Sequence, residues 1–324
     1  MKDDAGDTGG WALGRLVPRE AVALVGLPAG FTPAKIISHE EQLRLHGAYE
    51  DLAIFNLSRL TTPFHIASGE FLGAARGGLE TGNYLALDFD ATMRVNGAFD
   101  MALASLTQAH TQIENAAARF GDKFLNAAKI EFKHLRTANP DYLLLWQLRN
   151  LSQHQRAASS FLSVAHIDGQ QRLTIAMDQV LDFVNSCQLS PRYQGAWDQL
   201  RKARKDMPPI VDVVDTLYSA RHGYDLFAAT LLTQSAPYVD RAIRHVSTSY
   251  VEACDSKLGV AVVRRDVEGS RKQWIIDPRT FEGSMLTMNW ANEYVGLEPH
   301  YHLPAEGLFP DPPNMIVTQH RAEE

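Results

Sequence analysis

The sequence has little cysteine and no long apolar run. Only two of its 324 residues are cysteines, Cys187 and Cys254, which is too few for the disulfide framework of a small secreted protein. Asp3 and Asp4 stand where a signal peptide would be basic. The uncharged stretch 21–34 contains glycine and proline and is too short to span a bilayer. We therefore expect a cytoplasmic protein without a membrane segment.

The short motifs of several enzyme classes are also missing. The sequence contains no GxxxxGK[ST] loop, no GxGxxG after a strand, no GxSxG and no HExxH, which argues against nucleoside triphosphatases, Rossmann oxidoreductases, serine hydrolases and zinc proteases. His300-Tyr301-His302 and Asp88-Phe89-Asp90 each offer two ligand-type side chains without an evident third. We predict neither a metal nor a cofactor.

The charge is unevenly distributed. The net charge of −7 argues against a protein that coats nucleic acid through bulk positive charge. Residues 119–156, however, hold seven basic and three acidic side chains, and residues 192–205 hold five and one. The second window contains Arg201-Lys202-Ala203-Arg204-Lys205, which we call the second basic stretch. Together the two windows could line a path for a polyanion.

Hydrophobic periodicity predicts a series of helices. The first begins near residue 97, the second covers residues 122–137, and the third starts at Tyr142 after Asn139-Pro140 breaks the chain. The apolar stripe of the first helix repeats at steps of three and four and consists of Phe99, Leu103, Leu106, His110, Ile113 and Ala117. We interpret His110 as a hydrogen-bonded core residue, with a role beside His154 as the alternative.

The remaining patterns complete a mainly α fold. Asp168-Gly169 between two β-type runs predicts a hairpin, and later helices are predicted to begin at Pro208-Pro209 and to restart at Pro237. We expect a helical bundle core with an inserted β-hairpin and a small C-terminal β appendage. The predicted organisation is an irregular region at 1–82 with one helix at 40–60, a helical domain at 83–255, and a β-containing region at 256–324 with a proline-rich tail.

One group of residues suits phosphodiester chemistry. Arg149, Asn150 and His154 lie at the end of the third helix, where residues four apart share a face. An arginine can stabilise phosphate charge, and a histidine can transfer protons near neutral pH. The alternative is that the cluster caps the bundle, with Arg149 bound to terminal carbonyls and His154 on the surface.

These residues resemble the HEPN superfamily, whose motif is Arg-polar-x-x-x-His at the end of a bundle helix. The string Leu148-Arg149-Asn150-Leu151-Ser152-Gln153-His154 is similar to the LRNYxQH string of a set of bacterial proteins, with Leu151 in place of the aromatic residue. The resemblance covers roughly residues 90–250. It implies a metal-independent endoribonuclease, completed at a homodimer interface, in which Arg149, Asn150 and His154 are catalytic. Many HEPN relatives bind RNA or nucleotides without cleaving them.

Basic side chains around this motif are candidates for RNA binding. Lys129, Lys133 and Arg136 recur at helical spacing in the second helix, and Arg156 follows the motif. A solvated helix face is the alternative interpretation of the stripe. The competing function is a non-catalytic helical protein that binds RNA, a nucleotide or a protein partner such as a toxin or defence component.

Overall fold

The structure is a computed structural model that describes residues 11–16, 31–54, 62–80, 89–154, 157–186, 191–252, 260–264, 273–276 and 278–301. The chain forms two compact units. One consists of residues 57–231, and the other of residues 1–56 together with 232–324. These limits differ from the predicted boundaries at residues 82 and 255, because the helix at residues 62–80 packs on the helix at residues 89–119 and the strand Trp11–Leu16 pairs with the strand Val260–Arg264.

The described ranges contain nine α-helices and seven strands. The helices are α1 His39–Ile54, α2 Thr62–Glu80, α3 Phe89–Arg119, α4 Asp122–Ala138, α5 Pro140–His154, α6 Met177–Ser186, α7 Pro191–Ala203, α8 Val213–Glu252 and α9 Pro278–Tyr294. The strands are β1 Trp11–Leu16, β2 Phe31–Ile37, β3 Leu162–Ile167, β4 Gln170–Ala176, β5 Ile210–Asp212, β6 Val260–Arg264 and β7 Gln273–Ile276. The mainly α fold class is confirmed.

The unit of residues 57–231 is a helical bundle with a small sheet. The buried stripes of α3 and α4 pack together with α5, whose apolar first half is enclosed as its all-round hydrophobicity predicts. The inserted hairpin is confirmed: β3 and β4 are antiparallel, and β5 extends them into a three-stranded sheet. Asp168 and Gly169 form the turn with φ of 52° and 76°, the left-handed values that a two-residue hairpin requires.

The other unit combines a four-stranded sheet with α1, α9 and the part of α8 that begins at Leu232. Its strands are antiparallel and lie in the order β2, β1, β6, β7. Ser38 caps α1 by accepting a hydrogen bond from the Glu41 backbone N at 3.1 Å. Ser284 of α9 donates to the backbone O of Leu52 in α1 at 3.0 Å. The predicted β appendage is therefore part of a sheet shared with the N-terminal strands.

Three predictions about helices are wrong. The first 82 residues contain a second helix, α2, which the sequence interpretation missed because Thr61-Thr62-Pro63 and Gly77-Gly78 suggested turns. The chain after Pro208-Pro209 first forms β5, and α8 begins at Val213, where Asp212 Oδ1 accepts from the Val214 backbone N at 2.8 Å.

The third wrong prediction is the break at Pro237, because α8 continues through it for 40 residues. Proline removes one helical hydrogen bond, at a cost of about 3 kcal/mol. Leu232 and Val239, on either side of Pro237, are both buried, and their packing offsets that cost. A helix of 17 residues, α9, also lies in the C-terminal region for which only strands were predicted.

Candidate nucleic-acid interface

A single residue, Asn139, joins α4 to α5 and fixes their relative placement. Its Oδ1 accepts a hydrogen bond from the Tyr142 backbone N at 2.8 Å, so it caps the first turn of α5. Its Nδ2 donates to the backbone O of Ser219 in α8 at 2.9 Å. A Cβ at Gly223, one turn along α8, would lie 2.5 Å from Asn139 Nδ2, so a larger residue would displace this side chain. The three helices therefore meet at one amide.

Arg149 and Asn150 are hydrogen-bonded to each other and, through Asn150, to Gln147. Arg149 Nη1 donates to Asn150 Oδ1 at 3.0 Å, and Asn150 Nδ2 donates to Gln147 Oε1 at 3.3 Å. Because a guanidinium can only donate, Arg149 sets the orientation of the Asn150 amide, and Asn150 then sets that of Gln147. Gln147 is buried, and its Nε2 has no hydrogen-bond partner in the described part of the chain. Arg149 Nη1 thus binds a side-chain amide.

The indole of Trp146 brings Arg149 together with Arg136 of α4. The guanidinium carbon of Arg136 lies 5.7 Å from the ring centroid, and that of Arg149 lies 5.8 Å from it, both within cation–π range. Both arginines are half-buried. A residue predicted to be catalytic and one predicted to bind RNA therefore belong to one cluster.

His110 of α3 lies against the same indole. Its ring centroid is 5.0 Å from that of Trp146, and its Nδ1 is 3.8 Å from Oε2 of Glu114. Burial, followed by the positive charges of Arg136 and Arg149, lowers the pKa of His110 to about 4. The imidazole is therefore uncharged at neutral pH. His110 packs in the bundle as its place on the apolar stripe predicts. It also faces Arg136 and Arg149, which we call the arginine cluster.

The basic stripe of α4 is available to solvent along most of its length. Lys129 and Lys133 are exposed, and Arg136 is half-buried where the stripe reaches Trp146. None of the three basic residues forms an ion pair with a side chain in the described ranges. The stripe therefore retains its positive charge up to the arginine cluster.

The second basic stretch is partly neutralised by its neighbours. Arg201 Nη1 donates to Asp198 Oδ1 at 2.6 Å. Arg204 Nη1 donates to the backbone O of Met207 at 3.0 Å, and its Nη2 donates to Asp178 Oδ1 at 3.2 Å. These two arginines hold α7 and the following turn in place, so fewer charges remain for a ligand.

Two of the predicted site residues are not placed completely. His154 is the last residue of α5, but its side chain lies outside the described part of the structure, as does the whole of Arg156. Trp146 and Gln147 were missed at the sequence level, although Trp146 precedes Asn150 by four residues and so shares its helix face. Glu114 was missed in the same way, since it stands four residues after His110.

The two other candidate clusters are described only in part. Asp240 Oδ1 accepts hydrogen bonds from His300 Nε2 at 3.0 Å and from the Tyr301 hydroxyl. Burial of the Tyr301 hydroxyl, and then its hydrogen bond to Asp240, raises the pKa of Tyr301. His302 and Asp88 lie outside the described residues, and the described residues contain no group of three side chains that could hold a metal ion.

Comparison with protein-family models, with curated proteins and with solved structures found no match to this chain. Among the helices that the structure describes, none has the length and apolar character needed to cross a membrane.

Proposed function

We propose that this chain acts on RNA, with its phosphate site at the Trp146 end of α4 and α5. The observation that carries the proposal is the convergence of Arg136 and Arg149 on one indole. The exposed lysines of α4, Lys129 and Lys133, extend this positive charge away from the cluster, which is the arrangement expected for a phosphate backbone. A cytoplasmic location is part of the same proposal.

The proposed reaction is cleavage of the RNA backbone without a metal ion. The ribose 2′-oxygen attacks the adjacent phosphorus, so that a P–O2′ bond forms, the P–O5′ bond breaks and a 2′,3′-cyclic phosphate remains. His154 accepts the proton of the 2′-hydroxyl and returns a proton to the leaving 5′-oxygen. Arg149 and Arg136 stabilise the charge that develops on the phosphorane. Asn150 orients Arg149 through the hydrogen bond between them.

Labelled single-stranded RNA incubated with the full chain in EDTA tests this proposal. We expect the wild-type protein to cleave, and both His154→Ala and Arg149→Met to lose at least about 100-fold in rate, the usual contribution of one proton-transfer group or one charge-stabilising donor. Lys202→Met removes a positive charge from the second basic stretch and is the matched control, with cleavage retained. The product ends should carry a cyclic phosphate.

The same assay separates the two functions left open by the sequence. RNA that is bound by the wild-type protein but not cleaved would favour the non-catalytic binding protein, as found among HEPN relatives. RNA that is neither bound nor cleaved would show that the proposal is wrong and would favour a helical partner of another protein.

We also propose that the protein is a homodimer. Phe89, Met93 and Met101 are 74%, 54% and 59% exposed along α3, and exposed apolar residues at such spacing are typical of a contact surface. Light scattering on the wild-type protein should give the mass of two chains. Met93→Lys should shift that mass toward one chain, whereas a wild-type mass of one chain would contradict the proposal.

A further inference from the structure

The chain turns back on itself at the end of α9. The backbone N of Gly296 donates to the backbone O of Glu293 at 3.0 Å, and the backbone N of Leu297 donates to that of Asn292 at 2.8 Å. These two bonds form a Schellman motif, in which Gly296 takes the left-handed position with φ of 80°. The turn directs residues 298–301, which we call the returning segment, back toward α9.

Two asparagines of α9 bind the main chain of the returning segment. Asn289 Oδ1 accepts a hydrogen bond from the Tyr301 backbone N at 2.7 Å, and its Nδ2 donates to the Tyr301 backbone O at 2.7 Å. Asn292 Nδ2 donates to the Glu298 backbone O at 3.1 Å, and its Oδ1 accepts from Thr233 Oγ1 of α8 at 3.2 Å. Because backbone groups are common to all residues, these bonds hold a segment whatever its side chains are.

A carboxylate of α8 binds two side chains of the same segment. Asp240 Oδ1 accepts hydrogen bonds from His300 Nε2 at 3.0 Å and from the Tyr301 hydroxyl. Hydrogen bonds to a charged acceptor are stronger than those between neutral groups, so Asp240 favours a histidine followed by a tyrosine. The returning segment is therefore held as a separate peptide would be, by main-chain bonds that give affinity and by side-chain bonds that give specificity.

We propose that Asp240, Asn289 and Asn292 form a peptide-binding site, which the returning segment occupies in the free chain and from which a partner protein with an accessible His-Tyr pair displaces it. A separate chain can make each of these hydrogen bonds, because none of them depends on the turn at Gly296. The tethered segment competes at an effective concentration in the millimolar range, so a partner binds only the fraction of molecules that has released it. This inference concerns a protein ligand and does not rest on the proposed function.

Binding of a labelled peptide to the full chain, measured by fluorescence anisotropy, tests the inference. The probe has the sequence of residues 297–301 and ends in an amide, so that its tyrosine keeps a neutral carbonyl. Gly296→Ala leaves the added Cβ in open space, but alanine is disfavoured at a left-handed φ, so the variant favours release of the returning segment. The affinity for the probe should rise by about 5- to 30-fold over wild type.

A second glycine provides the matched control. Gly169→Ala places the same side chain in open space at φ of 76°, but in the β3–β4 hairpin, so the affinity for the probe should equal that of wild type. Tyr301→Ala releases the segment by another route, because it removes the side chain that Asp240 binds and leaves the turn unchanged. It should also raise the affinity for the probe. Circular dichroism establishes that each variant is folded.

Two further changes locate the bound probe. In the Gly296→Ala chain, Asn289→Asp replaces the amide donor with a carboxylate and should lower the affinity for the probe at least about tenfold, because the tyrosine carbonyl loses its donor. A probe carrying Tyr301→Phe should lose as much.

The outcomes decide between a peptide-binding site and a structural end of α9. Absent probe binding to both Gly296→Ala and Tyr301→Ala, or an equal gain in Gly169→Ala, would overturn the inference. A probe affinity that Asn289→Asp or the phenylalanine probe leaves unchanged would also overturn it. RNA cleavage is measured separately, so neither result decides the other.

Discussion

The basic stripe of α4 and the second basic stretch contain similar numbers of positive charges but use them differently. Along α4, Lys129 and Lys133 are exposed and have no ion-pair partner in the described residues. In the second basic stretch, Arg201 and Arg204 are bound to acidic side chains. A positive charge that already has a carboxylate partner gains less from a phosphate, because the first interaction must be replaced. Lys202 and Lys205 are exposed as well, so continuity with Arg136 and Arg149 at Trp146, rather than the number of basic residues, distinguishes a candidate interface.

Charge reversal in both regions should give the largest difference between them. The Lys129→Glu/Lys133→Glu double variant should lower the affinity for single-stranded RNA by about 100-fold at low salt, because it replaces two phosphate contacts with two repulsions. The Lys202→Glu/Lys205→Glu double variant makes the same change in net charge. It should lower the affinity for single-stranded RNA by less than about fivefold. Equal losses measured by fluorescence anisotropy would show that both regions bind through overall charge.

Acid should weaken the protein through the side of the bundle that carries the arginine cluster. His110 has a pKa of about 4 in the folded chain against an ordinary value of 6.5, so the unfolded chain binds more protons between these pH values. The free energy of unfolding therefore falls as the pH is lowered from 6.5 to 4, by up to about 3 kcal/mol from this residue. Urea unfolding at several pH values measures this fall in the free energy of unfolding. His110→Phe should lose this part of the pH dependence. A wild-type slope retained in His110→Phe would contradict the assignment.

Removal of one arginine from the second basic stretch should affect stability more than binding. Arg204 bonds to the backbone O of Met207 and to Asp178, and its side chain is 23% exposed. Arg204→Met should lower the free energy of unfolding by about 1–2 kcal/mol, because a half-buried carbonyl loses its donor. Lys133→Met, at an exposed site of α4, should change it by less than about 0.5 kcal/mol. A larger loss of unfolding free energy in Lys133→Met than in Arg204→Met, measured by urea unfolding, would assign the structural role to the α4 stripe and not to the second basic stretch.

The smallest expected effect is on the salt dependence of RNA binding. Lys133→Met should reduce the slope of log affinity against log salt concentration by about 0.7, the value for one lost contact with a single-stranded phosphate. Lys205→Met should leave the slope unchanged. A slope that is the same in wild-type and Lys133→Met proteins would remove Lys133 from the interface.

Local patterns predicted much of the bundle. The stripe of α4 and its break at Asn139-Pro140 placed that helix to within one residue, because amphipathic spacing and a proline both act locally. Asp168-Gly169 predicted its hairpin for the same reason. Helix α2 was missed because glycines lower helix propensity, and the packing against α3 that overrides them is a tertiary contact, which local patterns do not show.

The candidate site was predictable only in part. Helix spacing predicted a shared face for Asn150 and His154. Arg149 is offset by about 100° around the helix, and its long side chain reaches Asn150 as expected. The meeting of Arg136 with Trp146 could not be predicted, since periodicity shows which residues share a face but not which faces of two helices meet. That pairing is set by the turn between α4 and α5 and by its contact with α8.

The turn at Asn139 restricts where residues can be inserted into this chain and where new chain termini can be made. One inserted residue there would change the placement of α5 relative to α4, and Arg149 would no longer meet Arg136 at the Trp146 ring. The exposed turn at Asp168-Gly169 belongs only to its own hairpin, so new termini for a circularly permuted chain are better tolerated there. At Asn139, the number of residues in the turn therefore determines whether the site forms.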